Sequence, residues 1–227
     1  MRQIPLDLKA AEPPSFDNFV PGSNREALAL LRGLATPQPG QPVRAAYLWG
    51  EPGCGKTHLL AALAAASGAR ALQLGPGSAP AEFAIDVQGR VAIVDDCDLL
   101  GADAQEAAFH LYNRVRAAGD AVFVAAGSQP PLALALRDDL RTRLGWGAVH
   151  RLALLTDDEK AEALRRAARG RGLALPEELL RHLLIHRSRD IRALLRLLDA
   201  LDRFALERKR PLTLPLLRQF DDAERAG

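Results

Sequence analysis

Short apolar runs bounded by glycine or proline alternate with helical patterns over the first two thirds of the chain. Helical patterns fill most of the gaps between the runs. Strands that alternate with helices form a mostly parallel sheet covered on both faces. The pattern therefore predicts an α/β fold whose five-stranded sheet has its strands near 45–49, 70–74, 91–95, 121–126 and 148–152.

Two segments precede the first predicted strand. Residues 1–15 contain three prolines and show no helical period, so an extended tail is expected there. Ser23 is followed three residues later by Glu26, the spacing of a capping box, ahead of a run of leucines. This signature predicts a helix over about 24–34.

The strand pattern stops after about residue 152, and helix-start signals follow. Thr156 with Glu159 has the spacing of a second capping box. Three further helix starts are expected, at Pro176, Ser188 and Thr213. The chain is therefore predicted to comprise a tail over 1–15, an α/β domain over 16–153 and a small domain of four helices over 154–227.

Composition argues against a DNA-coating protein, a membrane protein and a secreted protein. The 227 residues include 30 basic and 28 acidic side chains, a balance that argues against a surface dedicated to coating DNA. Any DNA contact is expected to be mainly indirect. No apolar run approaches the ~18 residues of a membrane helix, and no signal-peptide core follows Met1. A cytoplasmic protein with no membrane partner is expected. Its cysteines, Cys54 and Cys97, are expected to be reduced thiols.

The strongest chemical signal is the segment GEPGCGKT at 50–57, which follows a predicted strand and opens a predicted helix. In such a P-loop, glycines let backbone N–H groups turn inward on phosphate oxygens, and the lysine reaches the terminal phosphates. We expect it to bind ADP or ATP. The nucleotide-binding residues predicted here are Gly50, Pro52, Gly53, Cys54, Gly55, Lys56, Thr57 and His58.

A pair of carboxylates follows the apolar run 91–94. Asp95 stands at the end of that predicted strand, where it would coordinate Mg²⁺ through water, while the Thr57 hydroxyl would also hold the ion. Asp96, next along the chain, would orient the attacking water. Asp96 is one methylene shorter than the glutamate that many ATPases use, so slow intrinsic hydrolysis is expected.

Five stretches occur in the order found in the AAA+ domain of the replication initiator DnaA, and together they resemble it. The resemblance covers about 16–222 and implies an AAA+ core in which Phe19, Val20 and Pro21 lie near the adenine while a helical lid closes over the nucleotide. The stretches are FDNFVPGSN at 16–24, GEPGCGKT at 50–57, VDD at 94–96, QPP at 129–131 and RTRLGWG at 141–147.

Initiators continue into a helix-turn-helix DNA-binding domain, whereas this sequence ends at Gly227. In this respect it resembles the Hda group, DnaA-related proteins that inactivate the initiator. Members of that group carry a peptide that binds the sliding clamp, the β subunit of DNA polymerase. The matching residues near the N-terminus are Gln3, Ile4, Leu6 and Leu8.

The same resemblance assigns roles to polar residues outside the P-loop. Arg143 matches the arginine finger that acts in trans on a neighbour's nucleotide. Arg192 matches the lid arginine that senses phosphate, with Arg189 the competing candidate. Ser128 stands where relatives carry an acidic or amide side chain, which again predicts weak or no intrinsic ATPase activity.

The function implied is negative regulation of replication initiation. Such a protein binds the clamp on DNA, contacts the AAA+ domain of DnaA and stimulates hydrolysis of the ATP bound there. A homodimer or higher oligomer is expected. Two alternatives remain open: an AAA+ loader of the replicative helicase, and a stand-alone P-loop kinase of small molecules. The short leader disfavours the loader, and the helical lid with the Arg143 segment disfavours the kinase.

Overall fold

A computed structural model describes residues 13–36, 40, 44–187 and 190–225. The chain divides into two compact units, Pro13–Leu154 and a second unit that contains Leu155–Gly227. Each unit has its own hydrophobic core and is described by itself.

The first unit is built on a five-stranded sheet. Each neighbouring pair of strands is parallel, in the order β2-β3-β4-β1-β5. Every residue of β3 and β4 is buried, as expected for inner strands covered on both faces. The predicted α/β fold is confirmed. The strands are β1 Ala45–Trp49, β2 Ala71–Leu74, β3 Val91–Val94, β4 Val122–Gly127 and β5 Ala148–Arg151.

Helices cover the two faces of this sheet and produce two separate cores. Tyr47 and Leu48 are consecutive in β1, and their side chains belong to different clusters because successive strand residues point to opposite faces. Leu111 packs in the cluster of Tyr47, and Leu59 packs in the cluster of Leu48. The helices of this unit are α1 Arg25–Leu34, α2 Lys56–Ser67, α3 Ala102–Ala118 and α4 Asp138–Leu144.

The start of α1 differs from the sequence prediction. Asn24, not Ser23, is the N-cap residue, and no side-chain capping bond forms, so the predicted Ser23–Glu26 capping box is wrong. The Asn24 amide instead donates to the carbonyl of Ala153 at 2.9 Å and accepts from its N–H at 2.8 Å. This pair of bonds ties α1 to the end of the sheet domain.

The second unit is a bundle of four helices, as predicted. Thr156 and Glu159 form the expected capping box, with the Glu159 N–H donating to the Thr156 hydroxyl at 3.2 Å. Ser188 lies outside the described residues, and Asp190 is the N-cap residue of the third helix. No described helix has the length and apolarity needed to span a bilayer. The helices are α5 Asp157–Gly170, α6 Glu177–His186, α7 Ile191–Arg208 and α8 Leu214–Arg225.

Candidate functional site

The phosphate loop joins β1 to α2 and depends on glycine for its shape. Gly53 has a φ of 86° and Gly55 a φ of 102°, values that residues with a side chain rarely adopt. Gly55 is the N-cap residue of α2, so the helix begins directly after the last turn of the loop. The free N–H groups of the first helical turn therefore face the same space as the loop.

The segment before α1 packs closely on this loop. A Cβ atom on Gly55 would lie 2.7 Å from Cε2 of Phe19, so no other residue fits there without movement. The rings of Phe19 and His58 are 5.4 Å apart, and the His58 Nε2 atom lies 3.0 Å from the Ser15 carbonyl oxygen. Two predicted nucleotide-binding residues, Phe19 and His58, therefore meet at the loop. The neighbouring Val20 and Pro21 are half-buried.

The ammonium group of Lys56 lies against the backbone of the phosphate loop. Its ammonium donates to the carbonyl oxygens of Gly50 at 2.6 Å and Glu51 at 3.3 Å, and it lies 3.9 Å from the Cys54 sulfur. A cation at this place, beside the N-terminus of α2, creates a positive potential suited to phosphate.

Of the two carboxylates after β3, that of Asp96 is close enough to this cation to be affected by its charge. Partial desolvation raises the pKa of the Asp96 carboxyl, the carboxylates of Asp95 and Asp98 raise it further, and the Lys56 ammonium lowers it. Asp95 accepts a bond from the Asp96 N–H at 2.9 Å. Asp96 has a φ of 44°, in the left-handed region. The loop and the acidic segment thus form one electrostatic site.

Sequence reasoning missed Asp98 and Tyr47, which shape the end of β4. Both the N–H and the hydroxyl of Ser128 donate to one carboxylate oxygen of Asp98. The Tyr47 hydroxyl donates to the Gln129 carbonyl at 2.8 Å. Asp98 is the third acid of the run DDCD at 95–98, which was a usable signal. Nothing in the sequence indicates a role for Tyr47 at this site, because its position is that of an ordinary residue in a predicted strand.

Both cysteines are free and buried. Burial, together with the charge of Asp98, raises the pKa of Cys97 to about 12, so this thiol stays protonated at neutral pH. Cys54 lies inside the phosphate loop, where its small side chain packs beneath the turn near Gly50.

Arg143 lies near the end of α4. Its guanidinium stacks on the ring of Trp146, with its central carbon 3.9 Å from the ring centroid. Two neighbouring arginines are engaged in ion pairs, Arg141 with Asp138 at 2.7 Å and Arg137 with Glu106 at 2.8 Å. Within the described ranges, no ion pair forms at Arg143.

The remaining predicted residues lie outside this unit. Arg192 is exposed near the start of α7, where its Nε atom lies 3.7 Å from a carboxylate oxygen of Asp190. Arg189 lies outside the described residues, so the choice between these two arginines stays a prediction. The tail residues Gln3, Ile4, Leu6 and Leu8 also lie outside the described residues.

The arrangement has the donors that a nucleotide requires. A glycine turn, a helix N-terminus and the Lys56 ammonium suit a polyphosphate. Mg²⁺ in such sites is held by one or two protein oxygens together with phosphate oxygens, and the Thr57 hydroxyl and Asp95 carboxylate are ligands of this type. The residues present fit a magnesium nucleotide.

Two protein families match this chain, one in each unit. The bacterial DnaA ATPase domain matches residues 11–74, which contain α1, β1, the phosphate loop and α2. The family described as Hda, lid domain, matches residues 157–220, from the start of α5 into α8.

Solved structures share the fold. Domain III of DnaA from Thermotoga maritima is 21% identical, with 91% of this chain and 96% of that one covered and a TM-score of 0.68. AMPPCP-bound DnaA from Aquifex aeolicus is 18% identical, with 94% and 70% covered and a TM-score of 0.67. RuvB from Thermotoga maritima, a Holliday junction branch migration motor, is 19% identical, with 93% and 72% covered and a TM-score of 0.68.

These findings agree with the architecture and with the site. The two family matches fall on the two units in the expected order, the DnaA ATPase domain on the unit with the phosphate loop and the Hda lid domain on the helical bundle. The chain is thus an Hda-like, DnaA-related AAA+ protein.

Proposed function

We propose that this protein is a negative regulator of chromosome replication that stimulates hydrolysis of the ATP bound to DnaA. The observation that carries the proposal is the presence, in one chain, of a DnaA-type ATPase segment and an Hda-type lid. The protein would act in the cytoplasm, on initiator molecules near DNA that carries the sliding clamp.

The first element of the proposal is a resident nucleotide, ADP or ATP with Mg²⁺, on the phosphate loop. The loop N–H groups and Lys56 would hold its phosphates, and Thr57 and Asp95 would hold the metal. The AMPPCP-bound DnaA of Aquifex aeolicus, which shares this fold, supports a nucleotide here. The metal supplies charge neutralisation at the phosphates. Because Asp96 is one methylene shorter than the glutamate of many ATPases and the Ser128 hydroxyl is engaged by Asp98, we propose weak intrinsic ATPase activity.

The second element is catalysis in trans by Arg143. A guanidinium that enters a partner's nucleotide site neutralises the charge that grows on the γ-phosphate during transfer. Arg143 is suited to this role because no carboxylate in the described part of the chain pairs with it, in contrast to Arg137 and Arg141.

The third element is recruitment by the tail. An extended peptide can place Leu6 and Leu8 in an apolar pocket of the clamp while Gln3 forms a hydrogen bond at the rim. The intervening Pro5 lowers the entropic cost of ordering the peptide. DNA contact would then be indirect, through the clamp, and the protein would assemble with DnaA or with further copies of itself.

The proposal predicts a selective defect for Arg143→Ala. DnaA preloaded with radiolabelled ATP is mixed with this protein and with DNA-loaded clamp, and conversion to ADP is followed. We expect Arg143→Ala to lower the stimulated rate at least about 100-fold, because trans arginine fingers contribute ~10³–10⁵.

Arg141→Ala is the matched control, since Arg141 lies on the same helix and is already paired with Asp138. This control should stimulate hydrolysis at nearly the wild-type rate. Hydrolysis at the wild-type rate with Arg143→Ala would refute the assignment of the finger.

A second experiment tests recruitment. Gln3→Ala combined with Leu6→Ala should abolish retention on immobilised clamp, while the affinity for ADP stays unchanged because the phosphate loop is intact. Retention equal to that of the wild type would contradict clamp binding by the tail. Co-elution with the replicative helicase, and not with the clamp, would favour a helicase loader instead.

A further inference from the structure

Trp146 is a large aromatic side chain that lies on the surface beside two cations. It is 53% exposed. The guanidinium carbon of Arg143 lies 3.9 Å from its ring centroid, and that of Arg116, on α3, lies 4.9 Å from the same centroid. Cations at this distance are attracted to the ring face. The ring therefore joins α3 to the end of α4.

The backbone holds this ring firmly. Gly145 caps α4, and the Trp146 N–H donates to the Arg143 carbonyl at 3.1 Å. On the other side, a Cβ atom on Gly147 would lie 2.3 Å from the carbonyl oxygen of Ala45, so residue 147 is pressed against the first residue of β1. Trp146 is thus fixed by a hydrogen bond before it and by close backbone packing after it.

The two guanidinium groups on the ring keep their hydrogen-bonding capacity. Within the described part of the chain, the guanidinium groups of Arg116 and Arg143 form no hydrogen bond and no ion pair. The ring also borders a groove of about 580 Å³ whose lining includes Arg44 and Arg116 and no carboxylate. The surface around Arg143 is therefore cationic and suits a polyphosphate held by another molecule.

We propose that Trp146 is the positioning residue of Arg143. The flat ring restricts the many rotamers of the arginine, so that its planar donor group is already oriented when the partner's nucleotide arrives. Stacking leaves the N–H donors free, whereas an ion pair would occupy them. This inference rests on the proposed function of Arg143. It adds the residue that holds the Arg143 guanidinium in the orientation needed for that function.

The test compares two substitutions at Trp146 in the DnaA-ATP hydrolysis assay. Trp146→Leu keeps an apolar side chain but removes the ring face, so we expect kcat to fall about tenfold, because a displaced catalytic group costs rate. The concentration of this protein that gives half-maximal stimulation should change less than about twofold. Trp146→Phe keeps a ring and should restore most of kcat.

Phe204→Leu is the control, because it removes another ring that carries an arginine, Arg208 at 4.1 Å, in the other unit. It should leave kcat unchanged. If Arg143→Ala has no effect, the proposed function fails. If Arg143→Ala abolishes stimulation while Trp146→Leu retains the wild-type kcat, only the positioning role fails.

A partner-free experiment tests the stack itself. The chain contains two tryptophans, so in a Trp49→Phe background the fluorescence comes from Trp146 alone. Removing the guanidinium by Arg143→Ala uncovers one side of the ring and should increase quenching by acrylamide. Arg141→Ala in the same background should not. Equal quenching with and without Arg143 would overturn the proposal.

Discussion

Gly55 lies where the phosphate loop, α2 and Phe19 meet, and it satisfies two requirements at once. Its φ of 102° suits glycine alone, and the Phe19 ring leaves no room for a Cβ atom. The spacing of the loop motif predicted this glycine. The family resemblance implied only that Phe19 lies near the adenine. Its contact with Gly55 was not predicted, because 36 positions separate the two residues and no local pattern links them.

Gly55→Ala should therefore weaken nucleotide binding. Because the new methyl group displaces Phe19 and distorts the loop, we expect the affinity for ADP, measured by calorimetry, to fall at least about tenfold. Gly68→Ala is the matched control, since Gly68 caps the opposite end of α2 at a φ of 58° with no atom close to its Cβ position. It should cost about 1–3 kcal/mol of unfolding free energy through backbone strain. An affinity lowered equally by both changes would contradict this explanation.

Substitutions of Asp96 separate the effect of its backbone conformation on stability from the effect of its charge. Its left-handed backbone suits asparagine and opposes alanine, and its charge is repelled by Asp95 and Asp98. At neutral pH, Asp96→Asn should be at least as stable to urea as the wild type, and Asp96→Ala should be less stable by about 1–2 kcal/mol.

The pH dependence of this difference has a definite sign. Because the pKa of Asp96 is raised on folding, its ionised form destabilises the folded state. That cost is present above the raised pKa and vanishes below the ordinary value of 3.8. The advantage of Asp96→Asn over the wild type should shrink as pH falls toward that value. An advantage that grows on acidification would contradict it.

At the scale of elements, helix ends show what a sequence can and cannot predict. The capping box at Thr156 forms because its two partners are three residues apart and no tertiary bond competes. The similar pattern at Ser23 fails because the next residue, Asn24, is held by Ala153 at the far end of the domain. The strands were predicted within about one residue, since buried parallel strands are continuous apolar runs. Contacts between elements that are distant in sequence, such as that of Trp146 with Arg116, leave no pattern in the sequence from which they could be predicted.

The contrast between these two helix ends can be measured. Thr156→Ala removes a capping bond and should lower the free energy of unfolding by about 1 kcal/mol. Ser23→Ala removes no capping bond and should stay within about 0.5 kcal/mol of the wild type. Urea unfolding followed by far-UV circular dichroism compares them. A larger loss at Ser23 than at Thr156 would contradict the observed caps.

At the scale of the whole molecule, the sheet order decides which motifs meet. β4 lies between β1 and β3, so the phosphate loop, Ser128 and Asp95 follow three neighbouring strands at one edge of the sheet. Composition and periodicity predicted the class of fold. The motifs predicted which strands are followed by the residues of the candidate nucleotide site. The role of Asp98 as the partner of Ser128 required the three-dimensional path of the turn after β3.

Gly147 rests on Ala45, the first residue of β1, whereas the phosphate loop follows the last residue of the same strand. Gly147, four residues after the arginine that we propose for a neighbour, and the loop for the protein's own nucleotide therefore lie at opposite ends of one five-residue strand, about 17 Å apart along it. The strand thus has a different functional element at each of its two ends. If the Arg143 finger of one copy served the phosphate loop of another copy, the two would meet through different surfaces, in a head-to-tail contact that repeats along a row of copies or closes into a ring.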